Sequence, residues 1–189
     1  MRDGIDAINR EGLARHLAVE RSTLPRILDS FGLEPIAGRF PWRRVFRSVH
    51  GVEAARFHGH LDWLRRQYAS PILGMITDLE VELRNPLLCF AEMARTLGVD
   101  CNTLSRALRE GRQTLPITMI CLGPRLRRFR PLEVRLWRDE GILLNLPQRT
   151  DVTRSLIDGP VTADPKFARN VDPTQKALFG SFAREERVM

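Results

Sequence analysis

The chain has 189 residues, of which 43% are hydrophobic and 28% charged, and its formal net charge is +7 at pH 7. This composition is typical of a soluble globular protein with one domain or two small ones. The longest uncharged apolar stretch, residues 115–124, is too short to span a bilayer, and no apolar run of a secretion signal follows the first residues. Three cysteines without a CxxC pair argue against a disulfide framework and a zinc ribbon, so we expect a cytoplasmic protein.

The basic charge is almost entirely arginine, since all but two of the 30 basic residues are Arg. Arg presents a planar fork that matches phosphates and guanine edges. Two acid-poor runs, residues 39–47 and 125–138, interleave Arg with aromatic residues. They form either a solvated basic face over buried aromatic side chains or a phosphate-binding surface, and their repetition favours the second interpretation. The candidate phosphate-binding residues are Arg39, Arg43, Arg44, Arg47, Arg125, Arg127, Arg128 and Arg130.

An internal repeat organises the chain, because residues 13–28 match residues 93–108 without a gap. An acidic residue follows a shared Val in both copies, as Glu20 and Asp100. In each copy the apolar spacing predicts two helices separated by a tight turn. The identities that define the repeat include Ala14/Ala94, Leu17/Leu97, Val19/Val99, Thr23/Thr103, Leu24/Leu104, Arg26/Arg106 and Leu28/Leu108.

The first copy belongs to a predicted unit over residues 1–66, with its second helix over about residues 21–30. Ala18 occupies the turn where the second copy has Gly98, and a left-handed conformation there costs Ala about 1 kcal/mol. Pro25 is compatible with the second helix if Ser22 or Thr23 is the N-cap, because Pro25 then lies in the first turn, where its missing N–H is not needed. A turn at Gly38 and a helix over residues 42–49 follow.

Residues 67–84 are predicted to connect the two copies. A helix is expected over residues 54–68 and another from Pro71 onward, because the apolar residues that follow Pro71 do not alternate as in a strand. No sustained heptad pattern is present, which argues against a long coiled coil between two chains.

The second copy belongs to a predicted unit over residues 85–147. Its second helix is expected over about residues 101–110, with Asp100 as the N-cap. Residues 117–122 and 126–129 then predict two short strands joined by a turn, and Pro131 begins a further helix.

The second copy resembles the helix-turn-helix DNA-binding unit. Its following Leu-Pro, strand pair and RRFRPLEV segment resemble the winged helix-turn-helix of the excisionase and MerR-type families, in which the two strands form a wing against the DNA backbone. The resemblance covers about residues 5–66 and 85–146. It implies a mostly α fold with small β wings, built as two winged helix-turn-helix units in tandem. The residues on the core positions of the unit are Met93, Ala94, Leu97, Gly98, Val99, Leu104, Ala107 and Leu108.

Residues 148–189 contain three prolines and few apolar residues before the segment QKALFGSF, which covers residues 175–182. This composition predicts a flexible tail that ends in a short amphipathic segment. The segment either docks on its own domain or binds a partner protein, and docking is favoured.

Other clusters of reactive side chains carry no clear chemistry. His50, His58 and His60 lie within eleven residues, but no Cys is near them in sequence, so a metal site is not expected. A carboxylate group at residues 78–82 is typical of a solvated face. With no phosphate-binding loop and no catalytic constellation, we expect neither an enzyme nor a bound cofactor or metal.

These observations predict a protein that binds double-stranded DNA sequence-specifically, as a bacterial or phage-type transcriptional regulator. Two units in one chain could act as a pseudo-dimer, and contacts with RNA polymerase or a recombinase stay open. The alternatives are an excisionase-like architectural protein that bends DNA and a protein-interaction scaffold whose Arg clusters meet an acidic protein. The candidate base-reading residues are Arg21, Ser22, Arg26, Asn102, Ser105 and Arg106.

Overall fold

The computed structural model describes residues 6–111 and 114–149. The predicted flexible tail lies outside the described residues from position 150 onward. No helix within the two described ranges is both long and apolar enough to cross a membrane. The described residues up to Arg149 belong to one compact unit. The predicted first unit, connector and second unit are therefore parts of one body.

The chain is mostly helical, with two small antiparallel sheets of strand order β1–β2 and β3–β5–β4. This confirms the predicted fold class at the level of helices with small β elements. α3 continues directly into a five-residue π-helical turn, Phe46–His50, and a 3₁₀ turn, Ala54–Arg56, precedes α4. In chain order the elements are β1 (Ala7–Asn9), α1 (Arg10–His16), α2 (Leu24–Phe31), β2 (Arg39–Pro41), α3 (Trp42–Val45), α4 (Phe57–Gln67), α5 (Pro71–Met75), α6 (Leu79–Leu83), β3 (Leu88–Cys89), α7 (Phe90–Thr96), α8 (Cys101–Arg109), β4 (Met119–Gly123), β5 (Leu126–Phe129) and α9 (Pro131–Glu140).

The two repeats share an order of elements: a strand, two helices joined by a turn, a strand that returns to pair with the first, and a further helix. The second repeat has one additional strand, β4, before its returning strand β5. The similarity includes the turn between the two helices, where Ala18 has a φ of 51° and Gly98 a φ of 71°. Ala18 therefore adopts the left-handed conformation that its position in the repeat predicts, although this region is unfavourable for a residue with a Cβ atom.

The helix starts follow local chemistry. α2 begins at Leu24 with Thr23 as the N-cap, so Pro25 lies in the first turn as predicted and the helix starts three residues later than position 21. In the second repeat, the Asp100 side chain accepts hydrogen bonds from the backbone N–H groups of Asn102 and Thr103, at 3.0 and 2.9 Å. This confirms Asp100 as the N-cap of α8.

The connector contains shorter helices than the sequence predicts. α4 ends at Gln67, close to the expected end at residue 68, but the helix expected from Pro71 is divided into α5 and α6. Asp78 starts α6, because its side chain accepts a hydrogen bond from the backbone N–H of Glu80 at 2.8 Å.

The sheet of the second repeat and helix α9 form a wall with an apolar cluster on each side. Phe129 and Val134 face the core beneath α7 and α8, together with Met93, Ala94 and Leu104. The other side of the wall contributes to a larger core that contains α1, α2 and the connector helices; its members from the wall are Ile120, Leu122, Leu132 and Leu136. Because the same elements close both cores, burial of apolar area on the two sides holds the repeats together.

A buried polar cluster lies where the first repeat meets the connector and the second repeat. His16 and His50 approach within 3.0 Å between their Nε2 atoms, and His16 Nδ1 lies 3.0 Å from the Arg84 carbonyl oxygen. Since a carbonyl only accepts, His16 Nδ1 carries the proton, and His50 Nε2–H donates to His16 Nε2. Burial lowers the pKa of His16 to about 4, and burial together with the charge of Arg130 lowers the pKa of His50 well below 6.5. Both imidazoles are therefore neutral at pH 7.

We expect the folded state to lose stability as the pH falls below about 6.5. His16 binds a proton near pH 6.5 when the chain is unfolded but only near pH 4 when it is folded, so acid favours the unfolded state. His16 alone should lower the free energy of unfolding by about 2 kcal/mol between pH 7 and pH 5. Urea unfolding at both pH values measures this difference.

The matched variants are His16→Leu and His58→Gln, because His58 is exposed. His16→Leu should reduce the loss between pH 7 and pH 5, whereas His58→Gln should keep it. An equal loss in the wild type and in His16→Leu would show that His16 is not its source.

Candidate nucleic-acid interface

One face of α8 presents polar side chains to solvent. Asn102, Ser105 and Arg106 are exposed, whereas Leu104 and Ala107 are buried on the opposite side. The spacing of three and four residues brings the three polar side chains onto one face, as predicted. The next position on that face, seven residues after Asn102, is the exposed Arg109. Sequence reasoning did not single out Arg109, although the helical spacing from Asn102 contains the signal.

A groove of about 840 Å³ separates α8 from the turn of the β4–β5 hairpin. The start of α7 forms its third side. Three exposed Arg side chains line it, Arg109 from the helix and Arg125 and Arg127 from the hairpin. The groove therefore combines the C-terminal half of the exposed α8 face with two exposed residues of the predicted phosphate-binding set.

Among the described residues, the three exposed Arg side chains of this groove have no acidic partner in direct contact. Within residues 6–111 and 114–149, no carboxylate lies within the ion-pair distance of 4.0 Å from Arg109, Arg125 or Arg127. Two acids of the same repeat, Glu92 and Asp100, act in helix capping instead. Glu92 accepts a hydrogen bond from the backbone N–H of Cys89 at 2.7 Å, and this bond holds the pKa of Glu92 below its usual value. The corresponding bond from the backbone of Thr103 lowers the pKa of Asp100.

The first repeat presents a different arrangement of its predicted base-reading residues. Arg26 is exposed on α2, whereas Arg21 and Ser22 lie in the turn before the helix begins. Arg21 also lies 3.9 Å from the Glu11 carboxylate. α2 therefore carries one of the three predicted side chains on its exposed face, while α8 carries all three of its own.

The Arg residues of the first basic run are exposed, and its aromatic residues are buried. Phe40, Trp42 and Phe46 lie in the larger core. They anchor β2, α3 and the π-helical turn after α3, the elements from which the basic side chains project. The exposed side chains are Arg39, Arg43, Arg44 and Arg47.

The structure corrects two predicted phosphate-binding residues, Arg128 and Arg130. Arg128 is 8% exposed and Arg130 is 1% exposed, so their guanidinium groups face the protein interior. Arg130 pairs with the buried Glu133 carboxylate at 3.0 Å and donates to the His50 carbonyl at 3.0 Å. Arg128 donates to backbone carbonyls of the first repeat. In the sequence these two residues are close to Arg125 and Arg127. In the structure, Arg128 points inward from β5, and Arg130, directly after the strand, also points inward.

No family model matches the chain, and no match was found among curated proteins or solved structures. Within residues 6–111 and 114–149, no group of three or more His, Cys, Asp or Glu side chains could hold a metal ion. The function therefore has to be argued from the exposed surfaces of the repeats.

Substitution of a buried Arg and of an exposed Arg should change the free energy of unfolding by different amounts. Arg130→Met leaves the Glu133 carboxylate buried without its cationic partner, so it should lower the free energy of unfolding by about 3–5 kcal/mol. Arg127→Met removes an exposed side chain and should change the stability by less than about 0.5 kcal/mol. Chemical unfolding of both variants measures the difference. Equal stability would mean that Arg130 is not part of the interior.

Proposed function

We propose that this protein binds duplex DNA sequence-specifically through two winged helix-turn-helix units in tandem and acts as a transcriptional regulator. The observation that carries the proposal is the groove in the second repeat, where the exposed face of α8 lies beside the Arg-bearing hairpin. A polar helix face supplies groups that hydrogen-bond base edges, and a basic hairpin supplies groups that bind phosphates.

The dimensions of α8 fit this role. An α-helix with its side chains is about 10–12 Å in diameter, and the major groove of B-DNA is about 12 Å wide and admits one helix. The nine residues of α8 extend over about 13.5 Å, which is long enough to present several side chains along the groove. With α8 in the major groove, Arg106 would pair with the O6 and N7 atoms of guanine, and Asn102 with adenine. Arg125 and Arg127 on the hairpin would contact phosphates on the flanking backbone and fix the position of α8.

The first repeat supports the same function in a weaker form. Its two helices match those of the second repeat, and Arg26 occupies the register of Arg106. Because α2 starts late, Arg21 and Ser22 lie in the turn before it. From there we expect them to contact the DNA backbone and not the bases. The exposed Arg residues of β2 and α3 add positive charge to this repeat. We therefore assign most of the base recognition to the second repeat.

The proposed phosphate contacts predict a strong dependence of binding on salt. Six exposed Arg residues remain in the predicted set, and neutralising six phosphates gives a slope of log affinity against log salt of about −5. The double variant Arg125→Gln/Arg127→Gln should make this slope less steep by about 2. Titrations of a DNA site selected by the full chain, at several salt concentrations, measure both values.

Arg66 is exposed on α4 and lies outside the predicted phosphate-binding set, so it provides the matched control: Arg66→Gln should leave the slope unchanged. A wild-type slope flatter than about −2 would contradict phosphate binding. Binding of an acidic protein in place of DNA would favour an interaction scaffold. A bound site that is strongly bent would favour an architectural protein over a regulator.

The proposed division of labour predicts different losses of specificity. Arg106→Ala should cost about 1–3 kcal/mol of binding free energy and relax the preference at one base pair. Arg26→Ala should cost less and change the preference little. Arg127→Ala should weaken all sequences alike, because a phosphate contact carries no sequence information. Binding of each variant to a panel of single-base changes tests the assignment, and a changed preference in Arg26→Ala but not in Arg106→Ala would reverse it.

A further inference from the structure

The C-terminal end of α1 is completed by groups from outside the first repeat. A helix leaves its last carbonyls without partners inside the helix. Here the Leu87 backbone N–H donates to the His16 carbonyl at 2.7 Å. Arg128 then donates from Nε to the Leu17 carbonyl at 2.9 Å and from Nη2 to the Ala18 carbonyl at 2.7 Å. Three consecutive carbonyls are thus bonded by residues of the second repeat.

The second repeat does not depend on the first in the same way. Thr96 corresponds to His16, and its carbonyl accepts a hydrogen bond from Arg138 at 2.8 Å, within the same repeat. The turn that follows uses Gly98, which adopts its positive φ without the penalty of a Cβ atom. In the first repeat, Ala18 adopts the same conformation while its carbonyl is held by the Arg128 guanidinium. An unfavourable backbone conformation persists only where its surroundings hold it. The backbone N–H groups of Ala18 and Val19 bond to α1 carbonyls, as the matching groups do in the second repeat, and Arg128 adds a further restraint.

Arg128 also lines the groove beside α8. One side chain therefore touches both the turn that precedes α2 and the groove of the second repeat. Arg128 as a whole residue is 8% exposed, and its guanidinium makes a third hydrogen bond, to the Arg127 carbonyl at 2.9 Å, so its orientation is fixed. The carbonyls at the end of a helix carry partial negative charge, which adds to the attraction of the cation.

We infer that Arg128 is a positioning residue that holds the α1–α2 turn against the groove of the second repeat, so that one chain recognises both parts of a DNA site at one fixed spacing. This inference rests on the proposed DNA binding. It predicts that inserting one or two base pairs between the two contacted parts of a selected site lowers the affinity of the wild type by at least about tenfold. Two loosely linked units would tolerate such insertions.

The decisive comparison is between Arg128→Met and Arg127→Met in the full chain. Arg128→Met keeps the length of the side chain and removes all its donors, whereas Arg127→Met removes an exposed neighbour on the same strand. Arg128→Met should bring the affinity ratio between the original and the inserted sites toward one. Arg127→Met should weaken both sites equally and keep the ratio. Arg128→Lys retains the charge but cannot span both carbonyls, so it should restore only part of the ratio.

A role of Arg128 in stability alone would lower the melting temperature without changing this ratio. Hydrogen exchange of the backbone amides at residues 17–23, measured without DNA, gives an independent reading. Exchange there should become about tenfold faster in Arg128→Met and stay unchanged in Arg127→Met.

The outcomes separate the two proposals. Wild-type binding that ignores spacing, or an unchanged ratio in Arg128→Met, overturns the positioning role and leaves DNA binding intact. If the wild type binds no duplex, the proposed function fails, and with it the fixed spacing. In that case amide exchange decides whether Arg128 holds the turn: unchanged exchange in Arg128→Met also overturns the positioning, and faster exchange supports it.

Discussion

Both cores of this protein are closed by the same wall, the β3–β5–β4 sheet together with α9. Phe129 and Val134 bury their side chains under α7 and α8, while Ile120 and Leu132 bury theirs against the first repeat and the connector. Removing the wall would expose apolar area on two sides; the core under α7 and α8 consists of second-repeat residues alone, whereas the core of the first repeat is closed only by the wall. This constraint fixes the repeats as one body and determines which Arg side chains are left for a ligand.

The wall also explains the division of the second basic run. Residues on a strand alternate between its two faces. Arg127 and Arg128 are adjacent on β5, and Arg127 is exposed beside the groove while Arg128 is turned toward the first repeat. Arg130 follows the strand and pairs with Glu133 in the interior. One run of Arg residues therefore serves two purposes, a surface suited to phosphates and a polar junction between the repeats.

The polar junction has an energetic consequence. His16, His50, Arg130 and Glu133 are buried together, and such groups are stable only when hydrogen bonds and opposite charges satisfy them. The two imidazoles stay neutral because burial lowers their pKa values. As a result, they add no further buried cation beside the Arg130–Glu133 pair. The same burial that fixes the repeats relative to each other makes the junction sensitive to acid and to the loss of one partner.

Much of the local structure of this protein follows from the order of its residues. The repeat, the Asp100 cap, the position of Pro25 in the first turn of α2 and the exposed face of α8 all follow from spacing and from neighbouring residues, because capping and helical periodicity act over a few positions. The burial of Arg128 and Arg130 and the contact of His16 with His50 depend instead on the packing of the whole chain. Those contacts join residues 34 to 111 positions apart. Nothing in the local pattern distinguishes Arg127 from Arg128, because a charged side chain is buried only where carbonyls or carboxylates from distant parts of the chain can pair with it.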